Sequence, residues 1–200
     1  VGLGILASAP TAISGASDWS DTIGADRRVG FIHAAANAAA SVLQASSWLA
    51  RRRGHRGAGI VLSILGLSLT LGSAYLGGHL SFVRGIGVNH TAFQRPSRKW
   101  TDVAAETDIA DGSLTRVTVG DVPVLLARQN GELHAISAVC THAGGPLDEG
   151  TLDADGCVTC PWHGSRFRLG DGEVERGPAS VAQPLWEVSV EDGRVRVRSA

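Results

Sequence analysis

Apolar and polar positions divide the chain into two regimes. Up to residue 84, long charge-free stretches alternate with short charged clusters. From Thr101 onward, apolar positions come in short runs cut by Gly-containing turns. In the first regime, residues 1–17 are apolar and rich in small side chains, and they end at Asp18, Trp19 and Asp21. Residues 29–50 and 57–82 contain no Lys, Arg, Asp or Glu. Arg27-Arg28 and Arg51-Arg52-Arg53 bracket the former, and Arg84 follows the latter. A helix needs about 20 predominantly apolar residues to cross the hydrocarbon core of a bilayer. Three helices are therefore expected over residues 1–84. The last two are long enough to span, and the first is as well if it continues upstream of Val1. A buried helical hairpin is the competing reading, and the arginine brackets and the lengths weigh against it.

The apolar stretches are built from Ala, Gly and Ser rather than uniformly from Leu. Membrane helices pack closely through such residues, so residues 34–40, Gly66 and Gly72 are expected at a tight helix interface. At about 100° per residue, His33, Asn37, Ser41 and Gln44 share one face of the second helix. Ser68, Gly72, Tyr75 and His79 share a face of the third. Polar groups inside a membrane turn toward the bundle interior. Both stripes read first as interhelical hydrogen bonding. His33 and His79 form a second, sharper candidate, a haem or quinone site near one membrane surface.

Residues 85–100 mix Gly, Asn, Pro and basic residues without a clear period, and they read as a linker whose cations face anionic headgroups. Beyond it, residues 114–119, 123–128, 132–139, 157–160, 166–169, 186–190 and 194–198 carry strand patterns. Asn130-Gly131, Asp155-Gly156, Asp171-Gly172 and Asp192-Gly193 supply turns. This spacing predicts a compact antiparallel β domain over residues 101–200. Two hundred residues suffice for two small domains. The 18 basic residues against 19 acidic ones give a net charge of −1, which leaves no nucleic-acid footprint. Met is absent and the chain begins at Val1 within an apolar run, so a longer parent chain is expected.

The chemistry concentrates between Cys140 and Phe167. Cys140-Thr141-His142 opens the stretch and Cys160-Pro161-Trp162-His163-Gly164-Ser165 closes it, with 17 residues between. Two thiolates and two imidazoles fit a tetrahedral zinc site. They equally fit a [2Fe–2S] centre in which two Cys hold one iron and two His the other. Zinc fingers usually pair Cys with Cys and His with His along the chain, whereas here each half mixes one of each. Gly144, Gly145 and Pro146 follow the first half and Gly164 the second, which lets backbone N–H groups approach sulfur. Cys157 and Cys160 also form C-x-x-C, the spacing of a redox dithiol. Cys160 is needed by the second loop, so Cys157 reads as a buried strand residue.

Cys-Thr-His-Ala-Gly-Gly-Pro-Leu at 140–147 and Cys-Pro-Trp-His-Gly-Ser-Arg-Phe at 160–167 resemble the two cluster-binding loops of the Rieske family. The resemblance covers roughly residues 100–200. It implies an antiparallel β base carrying a small cluster subdomain over about 140–167. Cys140 and Cys160 would hold the inner iron, and His142 and His163 the outer one. Gly177-Pro178-Ala179 resembles the proline loop that covers the cluster. Gly145 and Trp162 stand where quinol-oxidising members have a disulfide. Ser165 matches a Ser that donates to cluster sulfur, and Phe167 replaces a donor Tyr. Hydrogen bonds to sulfur favour the reduced state, so a potential in the lower half of the Rieske range of about −150 to +300 mV is expected.

Ser14-Gly15-Ala16-Ser17-Asp18-Trp19, His33 and Tyr75-Leu76-Gly77-Gly78-His79-Leu80 resemble a second family, small bacterial membrane domains of unknown activity. That resemblance implies that the family's first membrane helix is missing here.

The resulting expectation is a multidomain chain. Residues 1–84 form an all-α transmembrane domain, 85–100 a linker and 101–200 an all-β Rieske-type domain. No 2-His-1-carboxylate set and no G-x-G-x-x-G loop is visible, so the chain is expected to pass single electrons rather than transform a substrate alone. The expected partners are a redox protein or membrane electron carrier, together with the lipid bilayer. The alternative is a redox sensor or assembly factor whose cluster regulates the membrane domain. The expected location is the bacterial inner membrane, multi-pass. Six basic residues flank the Rieske side against four on the other, which favours a cytoplasmic β domain.

Overall fold

A computed structural model describes residues 2–200. Val1, where the expectation of an upstream continuation falls, lies outside them. The chain forms two compact units that divide after Ile86.

The first unit is helical, with α1 Gly2–Ser20, α2 Gly24–Arg52 and α3 Arg56–Phe82. Helices α2 and α3 form an antiparallel pair. Ser47 Oγ donates to the Gly59 carbonyl at 2.5 Å, and Gln44 Nε2 donates to the Ser63 carbonyl at 3.2 Å. Ser73 Oγ lies 3.0 Å from His33 Nδ1. The buried residues of α3 are Gly59, Gly66 and Ser73, one every two turns. A Cβ at Gly66 would stand 2.9 Å from Gln44 Nε2, so a side chain there would displace the Gln44 amide.

The polar stripe of α2 therefore meets α3 as expected, but on a different face of α3. Ser68, Gly72 and Tyr75 are exposed, and nothing lies within 4 Å of a Cβ at Gly72. Close approach selects the row with the least side-chain volume. That row is Gly59, Gly66 and Ser73 rather than the one carrying Tyr75 and His79.

Among the described helices, α3 alone is long and apolar enough to cross a membrane by length and composition. The expectation of two such helices is corrected here. Ala and Ser dominate α2, and His33, Asn37 and Gln44 lower its hydropathy further.

The second unit is a β structure. Strands β1 Thr101–Ala105, β2 Leu114–Val119, β3 Val122–Gln129, β4 Glu132–Ser137, β9 Leu185–Glu191 and β10 Arg194–Ser199 form one sheet in the order β1-β10-β9-β4-β3-β2. A smaller sheet, β5-β6-β7-β8, comprises β5 Thr151–Leu152, β6 Cys157–Thr159, β7 Arg166–Arg168 and β8 Val174–Arg176. All named strand pairings are antiparallel. The small sheet reaches Arg176, beyond the expected limit at Phe167, because β8 pairs with β7.

Side chains alternate across β3, and both of its faces are buried. Val124 and Leu126 pack with Ala135, Trp186, Val195 and Val197. Leu125 and Ala127 pack with Ile136, Leu147, Val158 and Phe167, and with Cys140 and Cys160. The second face seats the cysteine loops on the large sheet.

Residues 87–100, expected as a linker, belong to this unit. Ser199 N–H donates to the Ser97 carbonyl at 2.9 Å, and the Arg198 guanidinium lies 4.7 Å from the Trp100 ring centroid.

Candidate metal centre

The two loops at the cysteines are near copies of one another. Cys140 N–H donates to the Gly145 carbonyl at 2.8 Å, and Cys160 N–H donates to the Ser165 carbonyl at 2.8 Å. Gly144 N–H donates to the Cys140 carbonyl at 2.9 Å, and Gly164 N–H to the Cys160 carbonyl at 3.1 Å. Gly144 and Gly164 have φ of +81° and +72°. That is the left-handed region, where a Cβ is costly. Each pair is offset by twenty residues, so two tight turns of one design project their side chains from the two sides of a shared site.

The cysteines lie at the base of these turns. Both are buried, at 1% and 3% exposure, and their sulfurs hydrogen-bond to each other. Sharing that proton with Cys160 raises the pKa of Cys140, with burial acting in the same direction. The bond from Cys140 brings Cys160 down to about 6 against its own burial, and the Trp162 and His163 N–H groups help. The His142 and Ala143 N–H groups point at the Cys140 sulfur in the same manner. These donors meet thiols here and are placed to stabilise metal-bound thiolates.

The histidines form the second pair. The His142 and His163 rings meet edge to face with centroids 5.0 Å apart. His142 is half-buried and His163 exposed. Among the described residues, no three His, Cys, Asp or Glu side chains gather for a single ion. The loops gather their donors as a sulfur pair and an imidazole pair.

Other residues expected at the site surround it. A Cβ on Gly145 would lie 2.8 Å from the Cys160 sulfur and 3.1 Å from the Trp162 ring. The indole thus covers the place where the resemblance implies a disulfide in other members. Ser165 is fully buried and its Oγ accepts the Ala179 N–H at 3.0 Å. The hydroxyl proton remains to be donated, and the bond ties the Gly177-Pro178-Ala179 turn to the second loop. Phe167 is fully buried in the same core cluster as both cysteines. Cys157 lies buried in β6, and burial raises its thiol pKa. It stays outside the sulfur pair.

Sequence reasoning missed a clamp on the first loop. Thr141 Oγ1 donates to the Val181 carbonyl at 2.7 Å. Nothing local signals a bond across forty residues.

The donor set, the glycine cradle and the inward N–H groups all fit a [2Fe–2S] cluster. Residues 99–190 match the Rieske [2Fe-2S] domain family. Ferredoxin CarAc of Metapseudomonas resinovorans is 36% identical over 99 residues, which are 49% of this chain and 92% of that protein. The chain belongs to the Rieske family. Its Rieske domain is also 38% identical over 93 residues to apoptosis-inducing factor 3 of Homo sapiens. Those residues are 46% of this chain, and the chain spans only 15% of that relative's length. In a solved complex of reduced oxygenase and oxidized ferredoxin in carbazole 1,9a-dioxygenase, one chain is 35% identical at a TM-score of 0.48. That match covers 51% of this chain and 94% of the other. The family carries a [2Fe–2S] cluster, so the Rieske domain here is a cluster-binding one.

In the helical unit, His33 Nδ1 lies 2.9 Å from the Ser73 carbonyl, and Asn37 Nδ2 lies 3.1 Å from His33 Nε2. Both ring nitrogens are engaged within the helix pair, and a haem iron would have to displace one of these bonds. A cavity of about 720 Å³ lies beside them, lined among others by Thr11, Gly15, Trp19, His33, Asn37 and Gly77. His79 stands on another side of α3 from Ser73 and is not among its lining residues.

Proposed function

We propose that this chain is a membrane-anchored electron carrier. Cys140 and Cys160 hold one iron of the cluster, and His142 and His163 hold the other. The observation that carries this reading is the pair of twinned loops, which present two buried sulfurs and two imidazoles at the rim. The cluster supplies a reversible one-electron couple, and imidazole in place of two thiolates raises its potential above that of an all-Cys cluster. The protein residues do the rest. The Cys140 and Cys160 turns hold the thiolates in a dry core. The exposed His163, with Trp162 beside it at 6.4 Å, offers a short path to a partner. Ser165, whose oxygen accepts the Ala179 N–H, keeps a hydroxyl proton to donate to sulfur, and Phe167 offers none, which favours a ferredoxin-like potential.

The partner is another redox protein. Similarity to the ferredoxin components of the alkene monooxygenase system of Xanthobacter autotrophicus and the naphthalene 1,2-dioxygenase system of Pseudomonas putida supports this.

Membrane anchoring rests on the helical unit. Only 17% of the most apolar window of α3 is buried by protein, and Ile60, Val61, Ile64, Leu65, Leu67 and Leu71 are exposed. An apolar helix left uncovered by protein needs another apolar solvent. Helix α2 turns its polar stripe onto α3 and leaves Phe31, Ile32, Val42 and Leu49 outside. This favours α3 as the membrane-crossing helix with α2 packed on it, and the β domain on the cytoplasmic side by the distribution of basic residues.

Electron paramagnetic resonance of the dithionite-reduced full chain tests the cluster, together with metal analysis. Two irons per chain and the low-field signal of mixed His/Cys ligation are expected, and both are lost in Cys160→Ser. Stoichiometric zinc without iron would overturn the reading.

A further inference from the structure

The family match begins at residue 99, and the stretch before it is not slack. Asn89 Oδ1 accepts the Thr91 N–H at 2.8 Å and the Thr91 hydroxyl at 2.7 Å. Gln94 N–H donates to the Thr91 carbonyl at 3.1 Å, and Thr91 is 5% exposed. This compact turn docks on the first cysteine loop. His90 N–H donates to the Thr141 carbonyl at 3.0 Å. A Cβ on Gly144 would lie 3.6 Å from His90 Nδ1, so the imidazole stands over Gly144 across no more than the space a side chain would fill. The far end is held by the Ser97–Ser199 bond. The second loop is held instead by the Ala179 N–H donating to Ser165 Oγ at 3.0 Å, from the Gly177-Pro178-Ala179 turn.

We propose that residues 89–94 are a strap added to the Rieske fold, which seals the Cys140 loop with His90 as its positioning residue. The inference rests on the cluster reading above. Gly144 sits at the left-handed position that closes the turn, and its N–H donates back to the Cys140 carbonyl. The imidazole restrains that turn and keeps water from its outer side. Reduction adds negative charge at the site, and water stabilises added charge better than packed protein does. The strap therefore lowers the potential and slows opening of the loop.

The test uses the detergent-solubilised, cluster-loaded full chain, with midpoint potential from voltammetry and hydrogen exchange read by mass spectrometry. In the unmodified protein, a peptide covering residues 88–94 should be protected to the same degree as one covering 140–146. Free exchange of the former, at the rate of unstructured chain, would overturn the strap without recourse to any variant. His90→Ala keeps the backbone bond and removes the ring. It should raise the potential and speed exchange in peptide 140–146 several-fold. His90→Gln refills the contact and should return both toward the starting values. A loaded His90→Ala protein with unchanged or lowered potential and unchanged loop exchange would also sink the proposal. If the unmodified chain lacked the mixed His/Cys resonance signal, the cluster reading would fail instead, while the exchange comparison would still judge the strap.

Discussion

At the residue scale, the site is decided by which small groups are permitted to touch sulfur. Ser165 and Phe167 make the point. Both are fully buried beside the cysteines, and one carries a hydroxyl while the other does not. A hydrogen bond to a charged acceptor is worth about 1.5–3 kcal/mol. A one-electron potential moves about 59 mV for each tenfold change in equilibrium constant. Ser165→Ala should lower the midpoint potential by about 65–130 mV on those figures, and Phe167→Tyr should move it upward. Voltammetry of the two variants reads this directly, and equal potentials would remove the hydroxyl from the account. The sequence showed both residues and their loop positions. That the Ser165 oxygen also accepts the Ala179 N–H was invisible there, because the bond joins segments brought together only by the closed fold.

At the element scale, the β6–β7 hairpin beneath the second loop is braced by one carboxylate. Asp153 accepts the N–H groups of Asp155 and Cys157, both at 3.0 Å, and Arg166 Nε at 2.7 Å. Burial raises its pKa, but the Cys157 N–H and Arg166 outweigh it and hold the carboxyl below its ordinary value. A carboxyl depressed on folding stabilises the native state above its unfolded pKa of about 3.9, and that stabilisation disappears as pH falls through the folded value. Thermal melts between pH 6 and pH 2, both chosen to span about two units around that value, should show a steeper acid loss than Asp153→Asn does. Parallel acid limbs would argue against the brace.

β-rich runs bounded by Gly-containing turns located most of the large sheet, with apolar and polar positions alternating in β9 and β10. The two-residue β5 and three-residue β8 carry too few positions for any period. They exist because β6 and β7 offer them edges. The helix pair repeats this lesson. Its polar stripe on α2 was readable, but the partner face on α3 followed backbone proximity and fell on Gly59, Gly66 and Ser73.

At the scale of the whole molecule, a Rieske domain follows a helical unit whose outer surface is apolar. If the helices lie in a bilayer, the full chain should stay with membranes through an alkaline carbonate wash. Leu67→Arg, on the exposed side of α3, should weaken insertion by about 2.5–3.5 kcal/mol, seen as a larger washed-off fraction. Complete release of the unmodified chain would refute the anchor.

Sequence alone determined the cluster chemistry. Ligand type, loop glycines and spacing are local properties of two short segments, and they restrict the metal site before any fold is known. It also determined that the chain has a helical part and a β part, because hydrophobic period is written along each element. Tertiary structure alone decided what covers those loops. The contact of His90 with the Cys140 turn, the Thr141–Val181 clamp and the Ser165–Ala179 bond each join segments separated by many residues. Such contacts depend on how the two sheets stack, and no local pattern encodes the distance between surfaces that meet only after folding.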